Sequence, residues 1–297
     1  MAVGEFGLID LIKRRIPRGK GVIRGIGDDA AVLPFNKEKY LLLTTDMLAE
    51  GVHFSSAMGA KKIGHKALAC NISDIAAMGG WPTWAVVSLA VPVRLRVRYV
   101  EDIYSGMGAL ARMFSVGIVG GDTVRGDKMI INIALLGEVK KKQLVMRRGA
   151  QEGDIIFVTG RLGRSLKSGR HLSFLPRLKE AQFLTEHFKP SAMIDISDGL
   201  VADLRHILTE SGIGAEINLA QIPRSRQATL PEALYDGEDF ELLFTLSPRL
   251  SKKLRALRRA PFCFYPIGRV VRGAGQIHAV DTNGRRTAVR AKGYAHF

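Results

Sequence analysis

The chain has 297 residues, of which 46% are apolar and 24% charged, and it carries a net charge of +16 with two cysteines. That length predicts two domains of ordinary size, and the composition excludes a largely disordered chain. The longest apolar stretch, residues 84–93, contains Ser88 and Pro92 and falls well short of the roughly twenty residues a membrane helix needs, so none is expected. Glu5 and Asp10 precede Lys13, Arg14 and Arg15, the wrong order for a secretory signal, and the expected location is the cytoplasm. Cys70 and Cys263 are far apart and have no metal-ligand neighbours, which suggests neither zinc nor a disulfide framework.

Residues 4–16 carry Phe6, Ile9, Ile12 and Ile16 at helical spacing and predict an opening helix, followed by turn residues 17–21. A glycine-bearing turn at 25–29 leads into residues 30–33, and 40–45 reads as a buried strand ending at Asp46. Residues 63–78 form a helix with Leu68, Ile72, Ile75 and Ala76 on one face, while Asn71 and Asp74 share a neighbouring side. A strand is expected at 83–91, an amphipathic helix at 97–114 and a strand at 130–136. The run Lys140, Lys141, Lys142 marks the expected boundary between domains 1–139 and 140–297. Beyond it, 154–159 is strand-like, 161–170 a glycine-rich loop, and 200–208 a helix opened by Ser197, Asp198 and Gly199. Strands are expected at 213–218, 240–246, 264–270 and 277–280, with a helix at 248–258. Strands and helices do not alternate strictly, so the predicted class is α+β rather than a doubly wound parallel sheet.

The basic residues are spread along the chain in clusters at 13–15, 94–98, 140–142, 147–148 and 252–259, without a stripe and without interleaved aromatics. This favours a solvated basic face, then a funnel for phosphorylated ligands, over dedicated nucleic-acid binding. The acids are more informative. Asp28 and Asp29, Asp46, Asp74, Asp122, Asp195 and Asp198, and Glu238 with Asp239 are nearly all flanked by Gly, Ser or Thr. Any one of them could be a turn or helix cap. Small neighbours also let a polyphosphate approach the backbone, and carboxylates with hydroxyls are hard donors suited to Mg²⁺. Gathered together, bare carboxylates would raise one another's pKa values, and bound divalent cations would reverse that effect.

Other nucleotide motifs fail. Residues 59–66 place His65 where a P-loop needs lysine, and Lys66 where it needs Ser or Thr. The Gly25, Gly27, Ala30 spacing would set two aspartates against a pyrophosphate, with no clear apolar strand before it. The similar Gly106, Gly108, Ala111 spacing lies inside an amphipathic helix, where packing explains small residues.

Taken in order, Gly25-Ile26-Gly27-Asp28-Asp29, Thr44-Thr45-Asp46 with Glu50-Gly51-Val52-His53-Phe54, Asn71-Ile72-Ser73-Asp74, Gly120-Gly121-Asp122-Thr123, Asp195-Ile196-Ser197-Asp198-Gly199-Leu200, Gly237-Glu238-Asp239-Phe240 and the terminal Lys292-Gly293-Tyr294-Ala295-His296-Phe297 resemble the thiamine-monophosphate kinase family of the aminoimidazole ribonucleotide synthetase superfamily. The resemblance implies a two-domain α+β chain: an N-terminal α/β domain that dimerises by pairing sheets, and a C-terminal α+β domain completing an active-site cleft. It implies ATP-dependent transfer to thiamine monophosphate, with several Mg²⁺ ions held by Asp29, Thr44, Thr45, Asp46, Asp74, Asp122, Asp195 and Asp198. Asp46 and Asp122 take the catalytic positions; Tyr104, Gly121, Asp122, Arg147 and Ser197 match ATP contacts; His53, Glu238 and Tyr294 match substrate contacts. Ala49 stands where a larger apolar residue is common, and Ala295 where an acid is frequent. The chain lacks the reactive cysteine of a selenophosphate synthetase and the C-terminal cysteine of a hydrogenase-maturation relative. Aminoimidazole ribonucleotide synthetase is the nearer alternative, and a basic nucleic-acid-binding protein the alternative of another class.

Overall fold

A computed structural model describes residues 4–17, 19–257, 262–289 and 293–294. Arg258, and Lys292, Ala295, His296 and Phe297 of the terminal motif, lie outside the described residues. The opening helix is α1, Gly4–Arg15.

The first sheet is built from β1 (Ala31–Pro34), β2 (Lys39–Ala49), β3 (Trp81–Val91), β4 (Gly117–Arg125) and β5 (Ile130–Lys140), in the order β1-β2-β5-β3-β4. Only the β3–β4 pair is parallel in this sheet. Period-two alternation decides its faces. Leu42, Thr44 and Leu48 of β2, with Ile131, Ile133 and Leu135 of β5 and Ala85, Val87 and Leu89 of β3, are buried. They are covered by α2 (Ala60–Ala77) and α3 (Val97–Phe114). The opposite face shows Leu43, Met47, Trp84, Val86, Val119 and Val124 to solvent.

The second sheet contains β6 (Ile155–Val158), β7 (Ala192–Asp195), β8 (Gly214–Asn218), β9 (Leu242–Leu246), β10 (Tyr265–Val271), β11 (Ile277–Val280) and β12 (Arg286–Ala288). Its order is β12-β11-β8-β10-β6-β9-β7, antiparallel except for β8 with β11. The helices of this half are α4 (Ser165–Ser168), α5 (Leu178–His187), α6 (Leu200–Ser211), α7 (Leu230–Tyr235) and α8 (Pro248–Arg255). Both sheets are mainly antiparallel, as an α+β class requires. Helix α2 is the pivot: it packs on α3, β2 and β5 and also on α5 and β7, so an apolar cluster runs from Val32 and Leu42 through Ile72 to Met193 and Phe244.

Three differences from the sequence expectation have local causes. Strand β2 continues past Asp46 to Ala49, because Met47, Leu48 and Ala49 pair with Asn132, Ile131 and Ile130. The Gly120-Gly121-Asp122 segment belongs to β4 rather than to a turn; three glycines in nine residues conceal a strand whose backbone pairs with β3. The expected glycine-rich loop at 161–170 contains the short helix α4, and elements α5, β7, α7 and β12 have no counterpart in the sequence reading. Strand β7 is buried throughout and shows no alternation, and α7 is a six-residue helix set by the Thr229/Glu232 capping box.

Close helix packing accounts for one glycine of the Gly106, Gly108 pair. A β-carbon on Gly106 would lie 1.9 Å from the Lys61 carbonyl oxygen, just as one on Gly64 would lie 1.9 Å from that of Ile103; at Gly108 the nearest atom is the Arg112 side chain at 3.5 Å. Gly106→Ala is expected to destabilise the chain by about 2 kcal/mol or more through overpacking, whereas Gly108→Ala should be neutral or stabilise by about 0.5 kcal/mol through helix propensity. Thermal denaturation of the two variants checks this, and equal effects would contradict it.

Candidate active site

The site forms where β1, β2 and α2 meet the turn after β7. Asp29 enters just before β1, Asp74 lies near the end of α2, and Asp195 ends β7. Carboxylate oxygens of these three lie within 4.8 Å of one another. Thr44 Oγ1 donates to Asp74 Oδ2, and Ser73 Oγ donates to Asp195 Oδ2 at 2.6 Å. Asn71 Oδ1 accepts from the Asp46 backbone N–H at 3.1 Å and its amide donates to the Ala67 carbonyl, so Asn71 and Asp74 both work on β2 from neighbouring turns of one helix.

Arg147 supplies the fixed cation. Its Nε and Nη2 donate to Asp29 Oδ1 at 3.2 and 2.7 Å, and its backbone N–H donates to Asp28 Oδ1 at 2.9 Å. The second oxygen of Asp29, Oδ2, is buried and has no hydrogen-bond partner. A buried carboxylate oxygen without a donor is costly. Placed among two further carboxylates, it fits a divalent cation.

Electrostatics agree with that fit. Burial, then the Asp29 charge, pushes Asp195 up to about 8, against the opposing Ser73 hydrogen bond. Burial and Glu238 push Asp46 up to about 6, and burial and Asp29 push Asp28 up to about 6. Asp74 is driven well above the carboxylate range by burial and by Asp46, Asp195 and Asp29, and burial also raises Asp29 against the Arg147 charge. These groups share too few positive charges to be ionised together, and a bound cation removes that conflict.

A second group follows on the same turn. Asp198, Asp203 and His206 have ligand atoms within 4.8 Å of one another. Asp203 Oδ2 accepts the backbone N–H groups of Asp198 and Gly199, both at 3.1 Å, and so fixes the turn carrying Asp195 and Asp198. The Ser197 carbonyl accepts the Glu238 N–H at 2.7 Å, and the Asp198 carbonyl accepts the Tyr294 N–H at 3.2 Å, which brings the substrate-assigned Glu238 and Tyr294 beside the metal-assigned acids. His53 Nδ1 accepts the Ala49 N–H at 3.0 Å.

Four assigned residues stand apart from this cluster. Register places Asp46, Ile133, Val87 and Gly121 in one row and Met47, Asn132, Ser88 and Asp122 in the next. Because Ile133 and Val87 are fully buried under the helices, Asp122 projects on the open face. Asp122 is also three strand spacings, about 14 Å, from the β2 row. Thr45 likewise faces outward and donates to Asn132 Oδ1 at 3.2 Å. Gly121 sits in β4 so close to β3 that a β-carbon would lie 1.8 Å from the Val87 carbonyl oxygen. Tyr104 is 36% exposed on α3.

Sequence reasoning passed over Lys66, Ser73 and Asp203. A signal for Lys66 exists: Lys66, Cys70 and Asp74 repeat every four residues along α2, so a charge sits on the stripe that carries Asp74.

This two-sheet α+β architecture with a carboxylate-lined cleft belongs to the class matched by two family models: AIR synthase related protein, N-terminal domain, over residues 27–139, and AIR synthase related protein, C-terminal domain, over residues 165–281. The chain is 36% identical to the thiamine-monophosphate kinase of Aquifex aeolicus, with 99% of this chain and 98% of that protein covered. It is also 36% identical to that of Bacillus subtilis, with 82% and 83% covered. Among solved structures, AaThiL complexed with AMPPCP and TMP superposes with a TM-score of 0.87 at 35% identity, covering 100% of this chain and 98% of that one. Within that class, the chain belongs to the thiamine-monophosphate kinase family.

The raised carboxylates fix the pH response of the metal-free protein. Between the ordinary carboxylate range and about 8, the folded chain binds more protons than the unfolded chain, so stability falls as pH rises through that window. In chelator, Tm is expected to drop from pH 5 to pH 8; with millimolar Mg²⁺ the drop should shrink, the gain from Mg²⁺ being largest at pH 8. A Tm shift from Mg²⁺ that is the same at both pH values would contradict the carboxylate assignment.

Proposed function

We propose that this chain transfers the γ-phosphoryl group of ATP directly to the phosphate of thiamine monophosphate, giving thiamine diphosphate and ADP. The observation that carries the reading is the group formed by buried Asp29 and Asp195 with half-buried Asp74, and its partnerless Asp29 oxygen, supported by thiamine-monophosphate kinases matching the whole chain and by AaThiL having been solved with AMPPCP and TMP.

Donor and acceptor are both anions, so the task is charge neutralisation and alignment rather than proton removal. Asp29, Thr44, Asp46, Asp74, Asp195 and Asp198 would hold Mg²⁺, with Thr45 and Asp122 completing the set expected from the family. Bound Mg²⁺ would neutralise both phosphates and bring them into line. Arg147, oriented by Asp29, adds a fixed positive charge for the transferring phosphoryl group, and the Ser197 turn and Gly121 receive the nucleotide with Tyr104. His53, whose ring is oriented by the Ala49 N–H donating to Nδ1, is assigned to the substrate together with Glu238 and Tyr294. The acceptor phosphate is already ionised near neutral pH, so no general base is required.

The division at residue 140 makes the cleft an interface between domains 1–139 and 140–297. The active form is a homodimer paired through the open sheet face. Leu43, Met47, Trp84, Val86, Val119 and Val124 make that face apolar, and each is at least 40% exposed in a single copy. Pairing would bury it and bring Thr45 and Asp122 of one copy against the other, a route into a metal site that their own sheet denies them. The location that suits these substrates is the cytoplasm.

Incubation of the purified protein with Mg-ATP and thiamine monophosphate should yield thiamine diphosphate and ADP in equal amounts. Asp74→Asn, folded, should lose at least about a hundredfold in kcat, the equivalent of about 3 kcal/mol of transition-state stabilisation. ATP consumed on an aminoimidazole precursor instead, or near-normal turnover from Asp74→Asn, would refute the reading. In the same assay, Met47→Glu/Val86→Glu should sediment as a monomer and turn over poorly; a dimeric, active double variant would refute the sheet pairing.

A further inference from the structure

Lys66 is fully buried on α2. Its ammonium lies 2.6 Å from Glu238 Oε2 and donates to the His53 carbonyl oxygen at 3.1 Å. A lysine is removed from water this completely only where partners compensate it, and its charged partner here comes from the other half of the chain. The partner sits in a segment that needs holding. Glu238 and Phe240 adopt φ of +66° and +50°, a region disfavoured for residues with a β-carbon. The same segment is stitched to the metal-bearing turn: Glu238 N–H donates to the Ser197 carbonyl and Phe240 N–H to the Ile196 carbonyl, each at 2.7 Å. Gly237 presses so closely that a β-carbon there would lie 2.4 Å from the Ser197 carbonyl oxygen.

We propose that Lys66 is a positioning residue for the phosphate acceptor substrate, an internal cation that clamps the 237–240 loop and the His53 backbone into one substrate-binding surface. The proposal rests on the kinase reading above and extends it to a residue to which the family resemblance assigns no role. One ammonium holds two residues assigned to the substrate, one from each half of the chain. The ATP-side cation, Arg147, is anchored separately through Asp28 and Asp29. Loss of Lys66 therefore frees Glu238 and His53 while leaving the Arg147 anchorage in place. A lysine that served only to fill space would weaken both substrates alike.

The test is steady-state kinetics of Lys66→Met, which keeps an unbranched apolar stem out to Cε and removes the ammonium. KM for thiamine monophosphate should rise at least tenfold while KM for ATP stays within twofold. Glu238→Gln should show the same selectivity, and the Lys66→Met/Glu238→Gln double variant should raise KM for thiamine monophosphate no further than Lys66→Met alone. If Lys66→Met does not fold, the charge-neutral double variant decides by comparison with Glu238→Gln: a KM for thiamine monophosphate equal to that of Glu238→Gln, with KM for ATP within twofold of wild type, supports the clamp, whereas a further rise in both KM values overturns it. An unchanged KM for thiamine monophosphate, or equal rises for both substrates, overturns it. The wild-type control separates the two claims, since absence of thiamine diphosphate from wild type refutes the kinase reading, whereas turnover with unaltered KM in the variant refutes only the clamp.

Discussion

Three carboxylates whose oxygens lie within 4.8 Å of one another, in a place from which water is largely excluded, cannot all be charged unless a cation sits among them. The rest of the architecture follows from gathering them. Asp74 is delivered by a helix buried on nearly every side, Asp195 by the last residue of a fully buried strand, and Asp29 by the turn two residues ahead of β1. None of the three sits on a loop tip free to relax away from the others. Burial and the neighbouring carboxylates raise these acids above their ordinary range, so protons occupy the cluster when metal is scarce. The architecture thus stores repulsion that only a cation or a proton relieves.

Two cations of the chain itself temper the charge and tie the halves together. Arg147 grips Asp29 and Asp28 from the connection between the sheets, and Lys66 grips Glu238 from α2. One pairs with an acid assigned to the nucleotide metals, the other with Glu238 assigned to the second substrate, and Asp46 feels the charges of Lys66, Glu238 and Asp29 alike. The asymmetry of the first sheet has its own logic. One face is sealed by α2 and α3, and the other carries apolar side chains together with Thr45 and Asp122. Under the proposed dimer, a single five-stranded sheet serves as floor for one set of ligands and as an interface for another.

Much of this was legible in the residues. The helical spacing of Val100, Ile103, Met107, Leu110 and Phe114 predicted α3, and Asn71 with Asp74 predicted a helix that turns two polar groups towards one neighbour. What escaped had physical reasons. Glycines at 117, 120 and 121 give β4 no side-chain pattern, and β7 is buried on both faces, so period-two alternation never arises. Lys66 reads in the sequence only as a misfit to the P-loop pattern, because a sequence shows that a charge lies on a helix but not which distant acid meets it. The separation of Asp122 from Asp46 depends on strand register across β5 and β3, a long-range fact that motif order does not contain.

The central claim is that the acids of this site hold protons until a divalent cation displaces them. The direct measurement is proton release, followed in weakly buffered solution at pH 7 while Mg²⁺ is added to the metal-free protein. With Asp195 pushed up to about 8 and Asp74 raised well above the ordinary carboxylate range by burial and the neighbouring Asp46 when metal is absent, binding should release protons, and Asp195→Asn should release fewer. Saturable Mg²⁺ binding with no proton release, or release unchanged by Asp195→Asn, would contradict the account.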